Sequence, residues 1–369
     1  MLKSFSLSAL NCFSEDYISA RKNLLEAYRL VSPRLQKQHQ SYQHPLPGPT
    51  AETLTCDTLY IGSNQHPQHL LVLISATHGV EGFAGSALQT DFLGQLEELL
   101  EQHKNLGVML IHAVNPWGFA WLRRYDHQGI DLNRNFIDFK QALPANQEFD
   151  NYLPKLLNPD IINPEQIHKL WENIDQEAFI DTVARGQYCH DTACFYGGKK
   201  PSWSRTIIQQ ITSLPQVRQA KRLAVIDLHS GLGPYGYGEV INDHPPATTG
   251  FNYAHSWYGN NAQSVALGDG CSTVKTGLID YHWHSVIGER GCFVTLEFGT
   301  YPLKQLWISV LAEQIYNNEA QRLKIPRDLQ HSTVIELKKF FYPAERSWQE
   351  QVIFRGRQIF DLAISGMMQ

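Results

Sequence analysis

Short apolar runs recur along the chain and alternate with segments of helical periodicity. Strands are predicted at residues 53–61, 70–75, 108–114, 223–226 and 292–298. The middle three runs are almost wholly apolar, as is typical of strands buried on both faces of a sheet. A helical pattern spans about residues 85–103. Strands that alternate with helices indicate an α/β fold with a largely parallel or mixed sheet.

The remaining segments are predicted from weaker patterns. Ser14 is expected to cap a helix that carries an apolar face, and the polar, proline-containing stretch 33–50 is expected to be a loop. Residues 344–362 predict a packed terminal helix, with a dimer contact as the alternative. We expect one catalytic domain over residues 1–369, with 137–205 as a partly helical insertion near the site and 330–369 as a C-terminal helical extension.

Composition narrows the classes of partner. The 369 residues are 43% hydrophobic and 18% charged, so the chain has enough apolar residues for a sizeable core. The formal net charge of −5 argues against nucleic acid or an anionic membrane as a partner. No apolar run predicts a membrane span, and the N-terminus is a poor signal peptide. The six cysteines are dispersed without a CxxC motif, which favours reduced thiols and a cytoplasmic protein.

The candidate chemistry lies directly after predicted strands. ATHGVEG follows the run at 70–75, NPWG follows 108–114, and DLHSG follows 223–226. In α/β sheets, ligands bind beyond the carboxyl ends of the strands. We therefore expect these three motifs to meet in space.

His78, Glu81 and His229 have the composition of a catalytic zinc site. The first two form an HxxE motif in which Gly79 and Gly82 permit a sharp turn. His229 completes a His₂Glu set, which leaves a coordination position open for water. The alternatives are a structural histidine at position 78 and, at position 229, a histidine that caps its strand together with Asp227.

Asp131-Leu-Asn-Arg-Asn-Phe136 is the most specific short string in the chain. Asp131 is positioned to accept the remaining N–H of His78 and fix its tautomer. Asn133 and Arg134 are suited to gripping a substrate carboxylate, because a planar guanidinium binds carboxylates bidentately. Arg124 offers a charge for a developing oxyanion. The alternative is a solvated loop with incidental charge.

Two further features bear on catalysis. Glu297, at the end of the apolar strand 292–298, is a candidate general base, since burial raises the pKa of a carboxyl group. The alternative is a structural glutamate in an ion pair. The stretch Tyr281-His-Trp-His284 is interpreted as a strand or loop that packs its aromatic side chains, with Tyr281 as a candidate phenol that closes over the substrate.

The order HxxE, NPxG, Arg, DxNRN, DxH and a strand glutamate resembles the zinc carboxypeptidase superfamily. That superfamily includes carboxypeptidases and the aspartoacylase and succinylglutamate desuccinylase deacylases. The chain looks most like a little-characterised bacterial branch of metallopeptidases, and the resemblance covers roughly residues 53–305. It implies a mixed, mostly parallel eight-stranded sheet between helices.

The resemblance also implies roles for individual residues. His78, Glu81 and His229 would bind one zinc ion, and Glu297 would be the general base and acid. Arg124 would stabilise the oxyanion. Asn133 and Arg134 would hold a free carboxylate. Two departures concern the substrate rather than the metal: 147 residues separate Glu81 from His229, and the phenol of the carboxypeptidases has no unambiguous counterpart besides Tyr281.

The sequence thus predicts a zinc-dependent, metallocarboxypeptidase-like hydrolase of an amide next to a free carboxylate, acting on a small peptide. The first alternative is a deacylase of N-acyl amino acids with the same machinery. The second is a catalytically silent metal- or peptide-binding module. A co-catalytic second metal is a further alternative, with ligands drawn from a set outside the first site: Asp227, Asp243, His244, His282 and His284.

Overall fold

A single mixed sheet forms the centre of the molecule. The computed structural model describes residues 7–158 and 164–369. Its strands are β1 Gln36–Gln43, β2 Thr55–Gly62, β3 His69–Ser75, β4 Leu106–His112, β5 Arg222–Gly231, β6 Gly238–Asn242, β7 Ala262–Ser264 and β8 Gly291–Gly299. They lie in the order β1-β2-β4-β3-β5-β8-β6-β7. The central pairs β4–β3, β3–β5 and β5–β8 are parallel, and antiparallel pairs join β1, β2 and β6 to them. The predicted eight-stranded, mostly parallel sheet is confirmed.

Helices cover both faces of this sheet. They are α1 Tyr17–Leu30, α2 Gly82–Leu93, α3 Leu96–Gln102, α4 Pro116–Ala120, α5 Leu153–Leu156, α6 Pro164–Glu172, α7 Gln176–Ala184, α8 Trp203–Ile211, α9 Pro215–Gln219, α10 Thr249–Tyr258, α11 Ile279–Ile287, α12 Leu303–Leu323, α13 Ser332–Phe341 and α14 Arg346–Met367. Across the described parts of the chain, none of the helices has both the length and the apolar character needed to cross a membrane.

Alternation along the strands sorts side chains between two cores. Ala224 and Ile226 of β5 pack on the face covered by α1, α2, α10 and α14. Leu223 and Val225 pack on the opposite face, against α8 and α11. Because successive strand residues point to opposite faces, Asp227 and His229 continue this second row toward the carboxyl end of β5. On this face the strand changes from apolar to polar side chains at Asp227, and the candidate site begins at that change.

The segment after the DxNRN string packs on α12 and α13 and forms a third apolar cluster. The ring of Phe179 in α7 lies 5.0 Å from that of Trp307 in α12. The segment returns beside its point of departure, since the backbone N–H of Asp131 donates to the carbonyl of Tyr196 at 2.8 Å. Its assignment as an insertion within one catalytic domain stays a prediction.

Three local predictions are wrong. The stretch 33–50 contains strand β1, whose largely exposed polar residues give no apolar signal because it is an edge strand. Helix α1 is capped by Asp16, which forms a capping box with Ser19, rather than by Ser14. Tyr281 and its neighbours belong to helix α11, because Ile279, Trp283 and Ile287 share its buried face at helical spacing. The terminal helix predicted at 344–362 is confirmed as α14.

Candidate metal centre

The turn after β3 brings His78 and Glu81 to one side of the sheet. Ala76 has a left-handed backbone with φ 57°, an uncommon conformation for alanine that redirects the chain at the end of the strand. Gly79 lies against the chain of Gly118, where an added Cβ would be 2.1 Å from the carbonyl carbon. Only glycine fits this close approach. The N–H of Val80 then donates to the carbonyl of Arg123 at 2.9 Å, which ties the turn to the loop that carries Arg124.

His78, Glu81 and His229 converge on one point. Each offers a ligand atom, and these atoms lie within 4.8 Å of one another. His229 Nδ1 is 2.8 Å from Glu81 Oε2, and His78 Nδ1 is 2.9 Å from Glu81 Oε1. All three side chains are buried. The two Nδ1 atoms and the carboxylate therefore face a common centre.

The other nitrogen of each imidazole faces a buried carboxylate. His78 Nε2 is 3.1 Å from Asp131 Oδ1, and His229 Nε2 is 2.8 Å from Asp227 Oδ2. Asp227 is held in turn by the hydroxyl of Thr77, which is 2.9 Å from both of its oxygens. Such carboxylates orient metal-binding histidines and fix the tautomer that leaves the inner nitrogen free for an ion.

The charges of the centre fit a divalent cation. Glu81, Asp131 and Asp227 supply three buried carboxylates. Burial acts to raise the pKa of Glu81, but His78 and His229 hold it well below its usual range, so it is ionised. One guanidinium, that of Arg124, reaches two of the three carboxylates. Burial acts to lower the pKa of His229, but Asp227 and Glu81 raise it well above its ordinary value, so a positive charge is favoured at this point. A divalent cation bound there would need both imidazoles neutral, and three carboxylates against one guanidinium would then leave two negative charges for it to cancel.

A buried atom without a partner supports the same assignment. In the described parts of the chain, His78 Nδ1 makes no hydrogen bond, although it is buried and close to Glu81. A buried polar atom without a partner is costly unless a ligand satisfies it. Two imidazole nitrogens and one carboxylate are the donor set of catalytic zinc sites. The residues present therefore fit the ion.

Glu297 stands beside this centre on the neighbouring strand. The β5–β8 register pairs it directly with His229 on the same face of the sheet. Its Oε1 accepts a hydrogen bond from the N–H of Leu232 at 3.0 Å. Burial, and then the negative charge of Glu81, raise the pKa of Glu297 to about 7. A carboxyl group with this pKa can both accept and donate a proton near neutral pH.

Arg124 lies against the same ligands. Its Nη1 donates to Glu81 Oε1 at 2.9 Å, and its Nε donates to Asp131 Oδ2 at 3.1 Å. Its Nη2 is 2.9 Å from His78 Nε2. Burial lowers the pKa of Arg124, but Asp131 and Glu81 raise it above its ordinary value, so the side chain is a fixed positive charge at the cavity wall.

Asn133 and Arg134 also line the cavity, and both have bonds to the protein. Asn133 Oδ1 accepts from the N–H of Ile279 at 3.2 Å. Arg134 donates through Nε and Nη2 to the carbonyl of Ala184 and through Nη1 to the carbonyl of Asn133. Tyr281 lies apart from them. Its hydroxyl donates to the carbonyl of Lys275, and its ring lines a separate depression with Phe136 and Arg205.

The cavity around these residues has a volume of about 190 Å³ and includes side chains that the sequence did not single out for this site. They come from the insertion, from β6 and β8, from the loop before α11, and from α11 and α12. The main ones are Ile180, Ala184, Phe195, Ile241, Lys275, Asp280, Thr295, Leu306 and Trp307, together with Asp243, which was considered only for a second metal. No local pattern marks most of them. The exception is Asp280, whose place in the first turn of a helix after a glycine-containing loop is a weak signal.

Comparison with solved structures agrees with the architecture. Carboxypeptidase A from Helicoverpa armigera is similar with a TM-score of 0.50 and 11% identity, over 99% of this chain and 76% of that one. An aspartoacylase family protein from Mesorhizobium loti has a TM-score of 0.38 at 15% identity, over 80% of this chain and 69% of that one. Succinylglutamate desuccinylase from Chromobacterium violaceum also has a TM-score of 0.38, at 12% identity, over 81% of this chain and 72% of that one. The likeness to carboxypeptidase A shows a carboxypeptidase-like fold.

Comparison of sequences assigns a family, but the description of that family names no activity. No curated protein matches the chain. The family described as protein of unknown function (DUF2817) matches residues 13–355, which is most of the chain. A match of this extent assigns the family, while the chemistry has to be inferred from the site. The chain belongs to the DUF2817 family.

Proposed function

We propose that this protein is a zinc-dependent hydrolase that cleaves an amide bond next to a free carboxylate. The observation that carries the proposal is the convergence of His78 Nδ1, His229 Nδ1 and the Glu81 carboxylate beside Glu297. A structural zinc site is closed by four protein ligands, whereas three ligands beside a proton-transfer group are typical of hydrolytic sites.

Glu297 moves the protons in this proposal. When bound, zinc supplies Lewis acidity that polarises the scissile carbonyl and makes water easier to deprotonate. The Glu297 carboxylate takes a proton from the attacking water and later donates it to the leaving amine. Without a metal, burial and then the charge of Glu81 raise the pKa of Glu297 to about 7, and a carboxyl group that changes protonation state near neutral pH suits both steps.

Arg124 stabilises the negative charge that develops on the carbonyl oxygen. If His78 offers Nδ1 to the metal, its Nε2 carries the proton and donates to Asp131. Arg124 Nη2, which faces that nitrogen, then has no acceptor there and is free to donate to a substrate oxygen. Its other donors remain on Glu81 and Asp131, so the guanidinium is held in place for this task.

Arg134 binds the free carboxylate, with Asn133 beside it. Arg134 is 1% exposed, and none of the described carboxylates is within ion-pair distance of it. Its bonds to protein carbonyls use three of the five N–H donors of a guanidinium. A buried cation without an anionic partner is costly, so a carboxylate from the substrate is a suitable counter-charge.

The second candidate is a deacylase of N-acyl amino acids, and the shape of the cavity favours it. Phe195 from the insertion and Leu306 and Trp307 from α12 form an apolar wall of the cavity. The ring of Phe195 is 5.5 Å from that of Trp307 and also lies over the guanidinium of Arg124. A wall at this place favours a short apolar acyl group over an extended peptide.

Metal content per chain is the first test, measured by elemental analysis on protein purified without added metal or a His-tag. We expect about one zinc per chain, lost in His78→Ala and His229→Ala but retained in the control His39→Ala, which changes a histidine far from the centre. About two ions would indicate a co-catalytic centre. No zinc, and no rescue by added zinc, would contradict the proposal and favour a silent binding module.

Substrates then separate the two enzymatic candidates. The rate of hydrolysis by the zinc-loaded protein is compared for two kinds of substrate. One is a dipeptide with a blocked N-terminus and a free C-terminal carboxylate, and the other is an N-acetyl or N-succinyl amino acid. Faster hydrolysis of the dipeptide supports the carboxypeptidase-like activity, and faster hydrolysis of the N-acyl amino acids supports the deacylase. Hydrolysis of the matching C-terminal amides at the same rate would remove Arg134 from substrate recognition.

A further inference from the structure

Phe195 has a backbone conformation that bulky residues rarely adopt. Its φ is 56°, in the left-handed region, where a side chain with a Cβ is disfavoured. The surrounding chain holds it there, because the N–H of Gln187 donates to its carbonyl at 3.1 Å and the next residue, Tyr196, forms bridges to Ile130 and Gln187. Backbone strain of this kind is found chiefly at functional sites. A role for the Phe195 side chain is therefore expected at the cavity that it lines.

The ring of Phe195 lies against both arginines of the proposed mechanism. Its centroid is 5.3 Å from Cζ of Arg124 and 5.5 Å from Cζ of Arg134. Both distances are within the roughly 6 Å of a cation–π contact. In the described parts of the chain, no other ring has two arginines this close. One side chain thus contacts the group proposed for the oxyanion and the group proposed for the substrate carboxylate.

Apart from this ring, the two guanidiniums are attached to different parts of the molecule. Arg124 donates to Glu81 and Asp131 beside the metal centre. Arg134 donates through Nε and Nη2 to the carbonyl of Ala184, at the end of helix α7 in the insertion. These bonds orient each guanidinium separately, and two like charges repel each other. The shared ring is therefore the contact that relates the position of one guanidinium to that of the other.

The ring itself is held firmly. Phe195 is 7% exposed, and its ring centroid is 5.5 Å from that of Trp307 and 6.3 Å from that of Tyr125, to which it is nearly perpendicular. Its backbone N–H also faces the hydroxyl of Tyr125 at 3.4 Å. An aliphatic side chain would serve equally well as an apolar wall. The negative face of an aromatic ring adds an attraction for both guanidiniums.

We propose that Phe195 is a positioning residue that fixes the distance between the Arg124 and Arg134 guanidiniums, and that the site thereby selects α-amino acids over their β isomers. The role rests on the proposed amide hydrolysis, in which Arg124 faces the scissile carbonyl and Arg134 holds the carboxylate. An α-amino acid has one carbon between its amide nitrogen and its carboxylate, whereas a β-amino acid has two. A misplacement of about 1 Å at a reacting group can cost about 10²-fold in rate, so one fixed distance discriminates between the two.

The test compares L-alanine and β-alanine isomers of the substrate that the zinc-loaded protein hydrolyses faster, the N-acyl amino acid or the blocked dipeptide. We expect kcat/KM for the L-alanine isomer to be at least about tenfold higher. This ratio should fall at least threefold in Phe195→Leu, which keeps an apolar side chain without a ring. It should stay within twofold of wild type in Phe195→Tyr, which keeps the ring.

Two further variants separate the ring from the backbone and from the wall. Phe195→Asn removes the ring but keeps a residue that tolerates the left-handed conformation, so it should lose selectivity as Phe195→Leu does. Trp307→Leu changes the same apolar wall, and no arginine lies over the ring of Trp307 among the described residues. It should slow both isomers alike and leave their ratio unchanged. Zinc content and urea unfolding are measured for every variant, and Phe195→Asn decides the matter if Phe195→Leu does not fold.

Equal rates on the two isomers in wild type would overturn the positioning role while the hydrolase stands. An unchanged ratio in folded Phe195→Leu and Phe195→Asn would do the same, as would an equal fall of the ratio in Trp307→Leu. If no substrate is hydrolysed, calorimetric titration with the two isomers tests the distance without catalysis. Tighter binding of the L-alanine isomer that is lost in Phe195→Leu would support the positioning role although the proposed function fails. Equal binding of both isomers would overturn the role as well.

Discussion

Two clusters built around buried carboxylates combine the same types of side chain and differ in where their polar atoms point. The outer cluster, Asp57 with Arg21, His39, Ser41 and Thr55, lies on the outer strands β1 and β2 and on α1. Asp57 accepts from Arg21 Nε at 2.6 Å, from Thr55 Oγ1 at 2.9 Å and from the hydroxyl of Ser41, and lies 2.8 Å from His39 Nε2. Its carboxylate is fully satisfied by the protein, so this cluster has a structural role.

The metal centre differs from the outer cluster because its polar atoms are not all hydrogen-bonded within the described part of the protein. His78 Nδ1 is buried without a hydrogen-bond partner in the described parts of the chain, and His78 lines the cavity. Residue types alone do not separate the two clusters, since each combines carboxylate, imidazole and guanidinium. The difference lies in the orientation of donors and acceptors, and it identifies which cluster is available to a ligand.

The largest effect is expected for Glu297→Gln, which removes the proton-transfer group and keeps its shape. Turnover should fall by about 10²–10⁴-fold, the usual contribution of general acid–base catalysis. Zinc content should remain at the wild-type level, because Glu297 is not among the three converging ligands. Stopped assays with product quantification measure the loss. Near-normal turnover would remove Glu297 from the mechanism.

The second prediction compares alanine substitutions of two adjacent arginines, Arg123 and Arg124. Arg123 is 1% exposed and pairs through Nε with Glu313 at 2.8 Å, whereas Arg124 faces the metal ligands. Arg123→Ala should lower the free energy of unfolding by about 3 kcal/mol, because it removes one partner of a buried ion pair. Arg124→Ala should chiefly lower kcat, by about 10²-fold or more.

Urea unfolding of the zinc-loaded variants and steady-state kinetics measure the two effects separately. Arg327 still reaches Glu313 at 2.7 Å in Arg123→Ala, so this variant is expected to fold. If Arg123→Ala loses turnover without stability, or Arg124→Ala loses stability without turnover, the division into a structural and a catalytic arginine is wrong.

The smallest effect is expected for Asp57→Asn, and it depends on pH. Burial acts to raise the pKa of Asp57, but Arg21, Ser41 and His39 hold it well below its ordinary value. A carboxyl group with a lowered folded-state pKa stabilises the protein above its unfolded pKa, and this contribution is lost as pH falls toward the folded pKa. The variant should therefore be about 2 kcal/mol less stable than wild type at pH 7, with a difference that shrinks below about pH 4.

Urea unfolding at pH 7, 5, 4 and 3 follows this difference, and zinc content at pH 7 should match wild type. A stability difference that does not change between pH 5 and pH 3 would show that the ionisation of Asp57 does not contribute. Loss of zinc at pH 7 would couple the outer cluster to the metal centre.

Two kinds of feature could be predicted from the sequence. They are those that follow from the local pattern of apolar residues and those that follow from the position of a motif at the carboxyl end of a strand. The central strands are continuous apolar runs, and the metal ligands follow their carboxyl ends, so the convergence of His78, Glu81 and His229 was predictable. Strand β1 was not, because its edge position leaves polar residues exposed. The place of Phe195 against the arginines depends on how the insertion returns to the site. No spacing rule indicates such a contact between distant segments.

The path of the chain around the metal centre has a consequence for the cavity. Residues 137–195 leave the fold after the DxNRN string and return at Tyr196, whose carbonyl is hydrogen-bonded to Asp131. The two ends of the segment are thus held side by side, and the entropic cost of closing a loop between such ends grows only slowly with its length. The same segment supplies Ile180, Ala184 and Phe195 to the cavity. Changes at these three positions can therefore alter the substrate side of the cavity without altering His78, Glu81 or His229.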